Sequence, residues 1–423
     1  MNILIQDPTY SSSMRLGEAL LDACNMGKDG AGAFAFVEEN GVDLFLGDPD
    51  FDKYISKHNY VLVVGTDSIT DPKAIASLRA YQKKYKKLTV FAYVHDARKY
   101  LFHPKITWFE STTGGLSLIG SGNLTERGLY HNVEIYGRSD LSKTDFDDMK
   151  KKWDDWFDWC LSNNLLFSID DPIVDYAVNL SAVKKARSFS SGKKSGRGKG
   201  GSIDPNLIDL YKKQPKVTSV KRPAPSKGTG KTTKPTTPKP ASTIISRPIP
   251  KVAPVVVTPT ASPVWSIDDD DRALVAEVPR SGNRWKQVNF DKATFEEYFG
   301  AIAGGAGGTY RILLKGVDST GTMSKTEPRP SVSVASHNYR FEIDAASGLP
   351  YPTGGARPYI VFVEVSTRSF LYELLMPGTA AYSEVDKYVK SWKSSNGNPQ
   401  IARISTTAKD IKGAAPNLGL WKI

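Results

Sequence analysis

Residues 102–109 read Phe-His-Pro-Lys-Ile-Thr-Trp-Phe, residues 120–129 read Gly-Ser-Gly-Asn-Leu-Thr-Glu-Arg-Gly-Leu, and His131-Asn-Val-Glu134 follows. If the first run is a strand, His103 and Lys105 stand two apart and project from one face. An imidazole beside an ammonium suits a phosphate: the cation holds oxygens while the ring attacks phosphorus or moves a proton. The second run is a turn whose glycines permit close approach. It brings the N–H groups of Ser121 and Gly122 and the amide of Asn123 to the same oxygens, with a helix N-terminus offered by residues 124–128. Glu134 is placed to accept the proton on the ring's second nitrogen and so fix its tautomer. A lone His-x-Lys recurs by chance on exposed strands. The Gly-Ser-x-Asn on a second strand end is what turns the pair toward function.

Working outward, residues 1–183 alternate strand-like and helix-like patterns. Residues 61–64 (Val-Leu-Val-Val), 88–94 and 116–119 are short apolar runs of the kind that form buried strands. Between them, 72–85 places Ile75, Leu78 and Tyr81 on one helical face, with Pro72 at its start. A second helix is expected over 11–24, with Leu16, Ala19, Leu20 and Ala23 inward. A closing helix is expected over 144–165 around Trp153, Trp156, Phe157 and Trp159. Such alternation implies an α/β domain.

The 423 residues carry a net charge of +11, and it is unevenly spread: −7 over 1–183, +16 over 184–251 and +2 over 252–423. The basic segment contains Lys193, Lys194 and Arg197, and 12 of the 26 prolines fall between 184 and 263, so a flexible, extended tether is expected there. Its cations are candidate DNA contacts through counterion release. A short apolar island at 203–211 predicts a helical turn or two within it. Residues 264–423 read as a mostly-β domain, with strands at 311–314, 331–334, 339–343 and 359–365 and helices only at 293–299 and 383–392. Arg284 and Lys286, and the stretch 325–340, offer basic and polar side chains that can meet phosphates or base edges, or simply face solvent.

The His103/Lys105, Asn123 and Glu134 spacing resembles the phospholipase D superfamily, and within it the NgoFVII/BfiI type of restriction endonuclease. The resemblance covers roughly the first 165 residues. One departure stands out: Glu110 occupies the place of the usual Asp after the Lys. The resemblance implies an α/β phospholipase D-like domain with a mixed sheet flanked by helices. It also implies metal-independent cleavage of double-stranded DNA through a phosphohistidine, with no cofactor. In that chemistry one histidine attacks phosphorus and another protonates the leaving oxygen. This chain has a single His-x-Lys, so a homodimer is expected to share one active site, each copy contributing His103, Lys105, Asn123 and Glu134. The part beyond the tether is then expected to read DNA sequence. The rivals are the same chemistry on RNA or another phosphodiester, and a nucleic-acid-binding protein that has lost activity.

Other signals are weaker. Residues 226–232 (Ser-Lys-Gly-Thr-Gly-Lys-Thr) end like a phosphate-binding loop, but Pro225 takes the place of the first glycine and no strand precedes them. Residues 304–308 read as a flexible glycine loop, 268–271 as a solvated acidic run, and the three tryptophans as packed helix. His58, His95 and His337 are expected in the core or on the surface, and His131 at the site. Two cysteines are too few for a disulfide framework or a cysteine-built zinc site. No apolar run approaches the roughly 20 residues of a membrane span, and the N-terminus lacks a signal-peptide pattern, so a cytoplasmic protein is expected.

Overall fold

The computed structural model describes residues 1–10, 13–67, 69–96, 100–180, 205–215, 265–280, 285–302, 308–330, 333–334, 338–397 and 399–423. Residues 1–214 and 264–423 form one compact unit, and 215–263 fall in a second, of which only residue 215 is described. Of the basic-segment residues, Lys193, Lys194 and Arg197 lie outside the described residues, as do Arg284, His337, 226–232 and 304–307.

The first sheet is built from β1 (Asn2–Gln6), β2 (Gly30–Phe34), β3 (Tyr60–Gly65), β4 (Leu88–Tyr93), β5 (Lys105–Glu110), β6 (Gly114–Gly120), β7 (Glu134–Ser142) and β8 (Leu166–Ser168). Their order across the sheet is β1-β7-β6-β5-β2-β3-β4-β8. β2, β3 and β4 run parallel and the remaining pairs antiparallel. One face carries α1 (Leu16–Met26), α2 (Glu39–Leu46), α3 (Pro49–Ile55) and α4 (Pro72–Lys84), packed on Leu62, Val64, Val90, Leu116 and Leu118. The opposite face packs Ala31, Ala33, Val63 and Trp108 under α5 (Lys143–Ser162). Local signals explain the helix ends. Asp71 caps α4 by accepting from Ala74 N–H at 2.9 Å, with Pro72 at the first helical position. Asn164, at φ 56°, turns the chain out after α5.

A sixth helix, α6, runs through 172–180. The island expected within the tether is α7 (Pro205–Lys213). It is docked rather than extended: Leu207 is fully buried in the first core with Leu210 and Tyr211 against it. Gln214 clamps its end, donating to Val94 O and Asn164 O at 2.8 Å each.

Residues 265–423 form a mostly-β region. It holds β9 (Arg272–Glu277), β10 (Gln287–Phe290), β11 (Arg311–Gly316), β12 (Glu327–Pro330), β13 (Ser333–Val334), β14 (Asn338–Glu342), β15 (Tyr359–Ser366), β16 (Ser369–Leu375) and β17 (Arg403–Thr407), with α8 (Ala380–Ser395) and α9 (Ala408–Ala414). A six-stranded sheet runs β12-β11-β16-β15-β9-β17 and a three-stranded one β10-β14-β13. Between them lies an aromatic core that includes Phe290, Phe295, Phe299, Phe341, Phe362 and Phe370.

The two regions meet through buried charge. Arg311 Nε and Nη2 donate to the two oxygens of Asp48 at 2.9 Å each, and Nη2 also reaches Asp50 Oδ2 at 2.6 Å. Glu18 accepts from Arg311 N–H at 3.0 Å and from the Arg368 guanidinium. Arg15, beside Arg368, donates to Thr367 O. At the exposed rim of the seam, Lys325 pairs with Glu39 at 3.2 Å and Asp43 at 2.8 Å.

Candidate active site

The carboxyl ends of β2, β3 and β4, the start of β5, the end of β6 and the start of β7 all lie at one end of the first sheet. His103 precedes β5 rather than lying within it. Ala35 N–H donates to Pro104 O at 2.8 Å, so the ladder with β2 extends one residue and fixes the approach to the histidine. Lys105 opens β5 opposite Phe34. Its Nζ lies 3.2 Å from His103 Nδ1, 3.1 Å from Nε2 and 3.3 Å from the His103 carbonyl oxygen. Ring and ammonium are thus held together although only Lys105 lies in the strand. Burial and the Lys105 charge hold the His103 ring below its usual pKa. Burial also lowers Lys105, opposed by the negative charge of Glu134.

Asn123 is oriented by a residue that sequence reasoning missed. Phe36 N–H donates to Asn123 Oδ1 at 3.3 Å, which assigns the carbonyl side of the amide and turns Nδ2, a pure donor, away from the strand. The Phe36 ring stands edge-on to His103 at 5.6 Å. No side-chain pattern marks Phe36, because it acts through its backbone and the flat edge of its ring. Gln6 is a second unforeseen organiser. Fully buried at the end of β1, it donates to Gly128 O and Asn132 O and accepts from Leu16 N–H, tying the turn after Asn123 to α1.

The other expected residues take defined places. Ser121 N–H donates to Ile135 O in the strand ladder, and its hydroxyl donates to Glu134 and accepts from Ile135 N–H, so this serine braces Glu134. A Cβ on Gly122 would lie 2.4 Å from Leu16 Cδ2, so the glycine lets the turn close over α1. Glu134 is buried, and its other oxygen accepts from Asn132 Nδ2 at 3.0 Å. The two ring nitrogens of His103 face Lys105, while the carboxylate of Glu134 is taken by Ser121 and Asn132. Glu110 closes the far end of β5, roughly 17 Å from Lys105 at the usual rise per residue, and has no part in this site. His131, expected at the site, is turned into the seam, 3.8 Å from Glu126 and edge-on to Trp265 at 5.5 Å. His95 is a core histidine: Nε2 lies 2.9 Å from Tyr100 O and 3.5 Å from Asp67. Lys286 is half-buried in the turn just before β10, while the neighbouring Trp285 is core, donating to Leu349 O. Among the described residues, no group of three His, Cys, Asp or Glu side chains is placed to hold a metal ion, and no helix is long and apolar enough to cross a membrane. A cavity of about 880 Å³ lies in the second region, lined by Glu327, Asp344, Tyr372 and Glu373 among others, and shares no residue with this site.

No protein-family description matches the chain, and no curated protein matches it. Among solved structures it is similar to Nuc, a phospholipase D family member from Salmonella typhimurium, at 14% identity and a TM-score of 0.28, covering 40% of this chain and 97% of that one. It is also similar to NucT from Helicobacter pylori, at 11% identity and a TM-score of 0.26, covering 36% and 88%. A third is the yeast tyrosyl-DNA phosphodiesterase, at 17% identity and a TM-score of 0.25, covering 33% and 32%.

Proposed function

We propose that this chain is a phosphodiesterase that cleaves double-stranded DNA through a phosphohistidine, a restriction or defence endonuclease whose active site is shared by two copies. The observation that carries the reading is the juxtaposition of the His103 ring, the Lys105 ammonium and the Asn123 amide, gathered around Phe36 at one sheet end. Lys105 and Asn123 supply charge-assisted and neutral donors to the phosphate oxygens. A His103 nitrogen forms the P–N bond as the P–O bond to the leaving nucleoside breaks. The His103 of a second copy, entering the step as the protonated imidazolium, gives that oxygen a proton. Water then attacks phosphorus, yields its proton to the second ring and releases the first, which restores both groups.

The second copy has a surface to occupy. Ile3, Ile5, Ile119 and Ile135 are all more than half exposed, and the register places them on one face of β1, β7 and β6, beside the strand ends that carry Asn123 and Glu134. Met1 extends this patch, lying against Gly137. A contiguous apolar face at an open sheet edge marks an interaction surface. The reading assigns this face to the two-fold contact and sequence recognition to residues 265–423.

The test is incubation of the full chain with plasmid DNA, and separately with RNA, in excess EDTA. Cleavage of DNA that His103→Ala abolishes supports the reading. Cleavage of RNA alone moves the substrate class, and complete dependence on added Mg²⁺ overturns the chemistry.

A further inference from the structure

Three residues after Asn123 the chain carries Glu126, a buried carboxylate inside the turn that presents the amide. Its oxygens gather donors from three segments. Asn40 Nδ2, in α2, donates to Oε2 at 2.8 Å. Trp265 Nε1 and Thr326 Oγ1, both from the second region, donate to Oε1 at 2.9 and 2.7 Å. Lys315 stands 4.8 Å over the Trp265 ring, and His131 lies on the same oxygen at 3.8 Å. Burial alone would favour the protonated acid. His131, Lys315 and Thr326 outweigh it and hold the carboxyl down to about 2, so an anion sits where three chain segments converge.

The same turn is coupled to Asn123 with little slack. A Cβ on Gly128 would lie 2.5 Å from Asn123 O and 2.8 Å from Asn123 N. Gly128 N–H donates to Thr125 Oγ1 and Leu129 N–H to Thr125 O. Leu124 is bridged to Val37, next to the Phe36 that orients the Asn123 amide. A displacement of Glu126 therefore reaches Asn123 through packed backbone.

We propose that Glu126 is a positioning residue through which residues 265–423 hold the Asn123 turn in its working geometry, so that the second region sets the competence of the phosphate site as well as its target. This rests on the reading of Asn123 as a phosphate ligand. Removing the donors of Trp265 and Thr326 leaves a buried carboxylate short of partners, and the turn relaxes toward solvent to recover them. Even a small misplacement of a phosphate ligand slows the chemical step with little effect on binding.

The test uses the full chain with Thr326→Val, Trp265→Phe, the double variant, and Thr326→Ser as the conservative control. Two readouts are needed: the NMR side-chain amide signals of Asn123, assigned by their loss in Asn123→Asp, and kcat with KM on DNA. The double variant is expected to shift or broaden the Asn123 signals and to lower kcat about tenfold or more with KM within about twofold. Thr326→Ser, which keeps the hydroxyl donor, is expected to leave both at their wild-type values. Unmoved Asn123 signals in the double variant overturn the proposal, even if activity falls. Moved signals in a protein whose wild type cleaves no nucleic acid uphold the coupling while removing the function assigned to the site, so the two failures are distinguishable.

Discussion

At the scale of single residues, the proposed chemistry hangs on a ring whose protonation is shifted by burial and by its neighbour Lys105. His103→Ala is expected to lower cleavage by at least about a thousandfold, since no other group described here can take the nucleophile's part. The pH behaviour follows from the direction of the shift. With its pKa held below the usual 6.5, the attacking His103 stays neutral on the acid side of that value while the second copy's ring must carry a proton, so activity is expected to peak below pH 6.5 and to fall on either side. An NMR titration of the His103 ring should give a midpoint below 6.5, and Lys105→Met should move it upward. An unmoved midpoint in that variant means the ammonium does not act on the ring. The pairing of His103 with Lys105 was legible from their spacing, whereas Glu134, expected to accept from the ring, is instead taken by Ser121 and Asn132. Phe36 and Gln6 were not legible: one works through its backbone N–H and the other through contacts more than a hundred residues away.

Whole elements were legible where their composition matched their state. Strands β3, β4, β6, β11 and β15 and helices α4, α5 and α8 fall where apolar runs and periodicity put them. β2 was not legible, because Gly-Ala-Gly-Ala-Phe has the composition of a loop, yet it is a buried central strand. Its glycines are demanded by neighbours: a Cβ on Gly32 would stand 2.5 Å from Tyr60 Oη. The same reasoning applies to α2. A Cβ on Gly41 would lie 2.3 Å from Leu124 O and 2.5 Å from Thr125 Cα. Gly41→Ala should therefore cost about 1–3 kcal/mol in chemical denaturation and slow cleavage, since it pushes on the Asn123 turn. In the second region, Glu373 of β16 accepts from Leu420 N–H, and burial raises its pKa to about 7. Between the ordinary 4.5 and about 7 the folded chain binds more protons than the unfolded one, so stability falls as pH rises through that window. Glu373→Gln should flatten this part of the pH–Tm curve, and an unchanged slope rules out Glu373 as its source.

For the molecule as a whole, the charge arithmetic of the sequence located the basic segment but gave no sign of the seam. Asp48, Glu18, Arg311 and Arg368 are ordinary surface residues to any reading of composition, and their burial is settled only when the two sheets are assembled. Removing one partner of a buried pair leaves a charge without compensation, so Asp48→Ala should destabilise the chain by about 3–5 kcal/mol. Because these pairs link residues 1–214 to 265–423, calorimetry should show one cooperative heat transition. Two well-separated transitions are incompatible with a seam that unfolds with both parts. The isoleucine face carries its own expectation. Ile135→Glu should give a monomer in light scattering that no longer cleaves DNA, while a fully active monomer removes the shared site.

Under the proposed reading, in which residues 265–423 recognise DNA, the seam also limits how the target can change. Grafting a foreign reading module onto residues 1–214 would strand Asp48 and Glu18 as anions walled off from water, with no guanidinium opposite either one. Hybrids made by simple exchange should misfold or aggregate unless the incoming piece carries arginines matching both 311 and 368. New specificities are then expected to arise by substitution within an inherited pair of halves rather than by shuffling them.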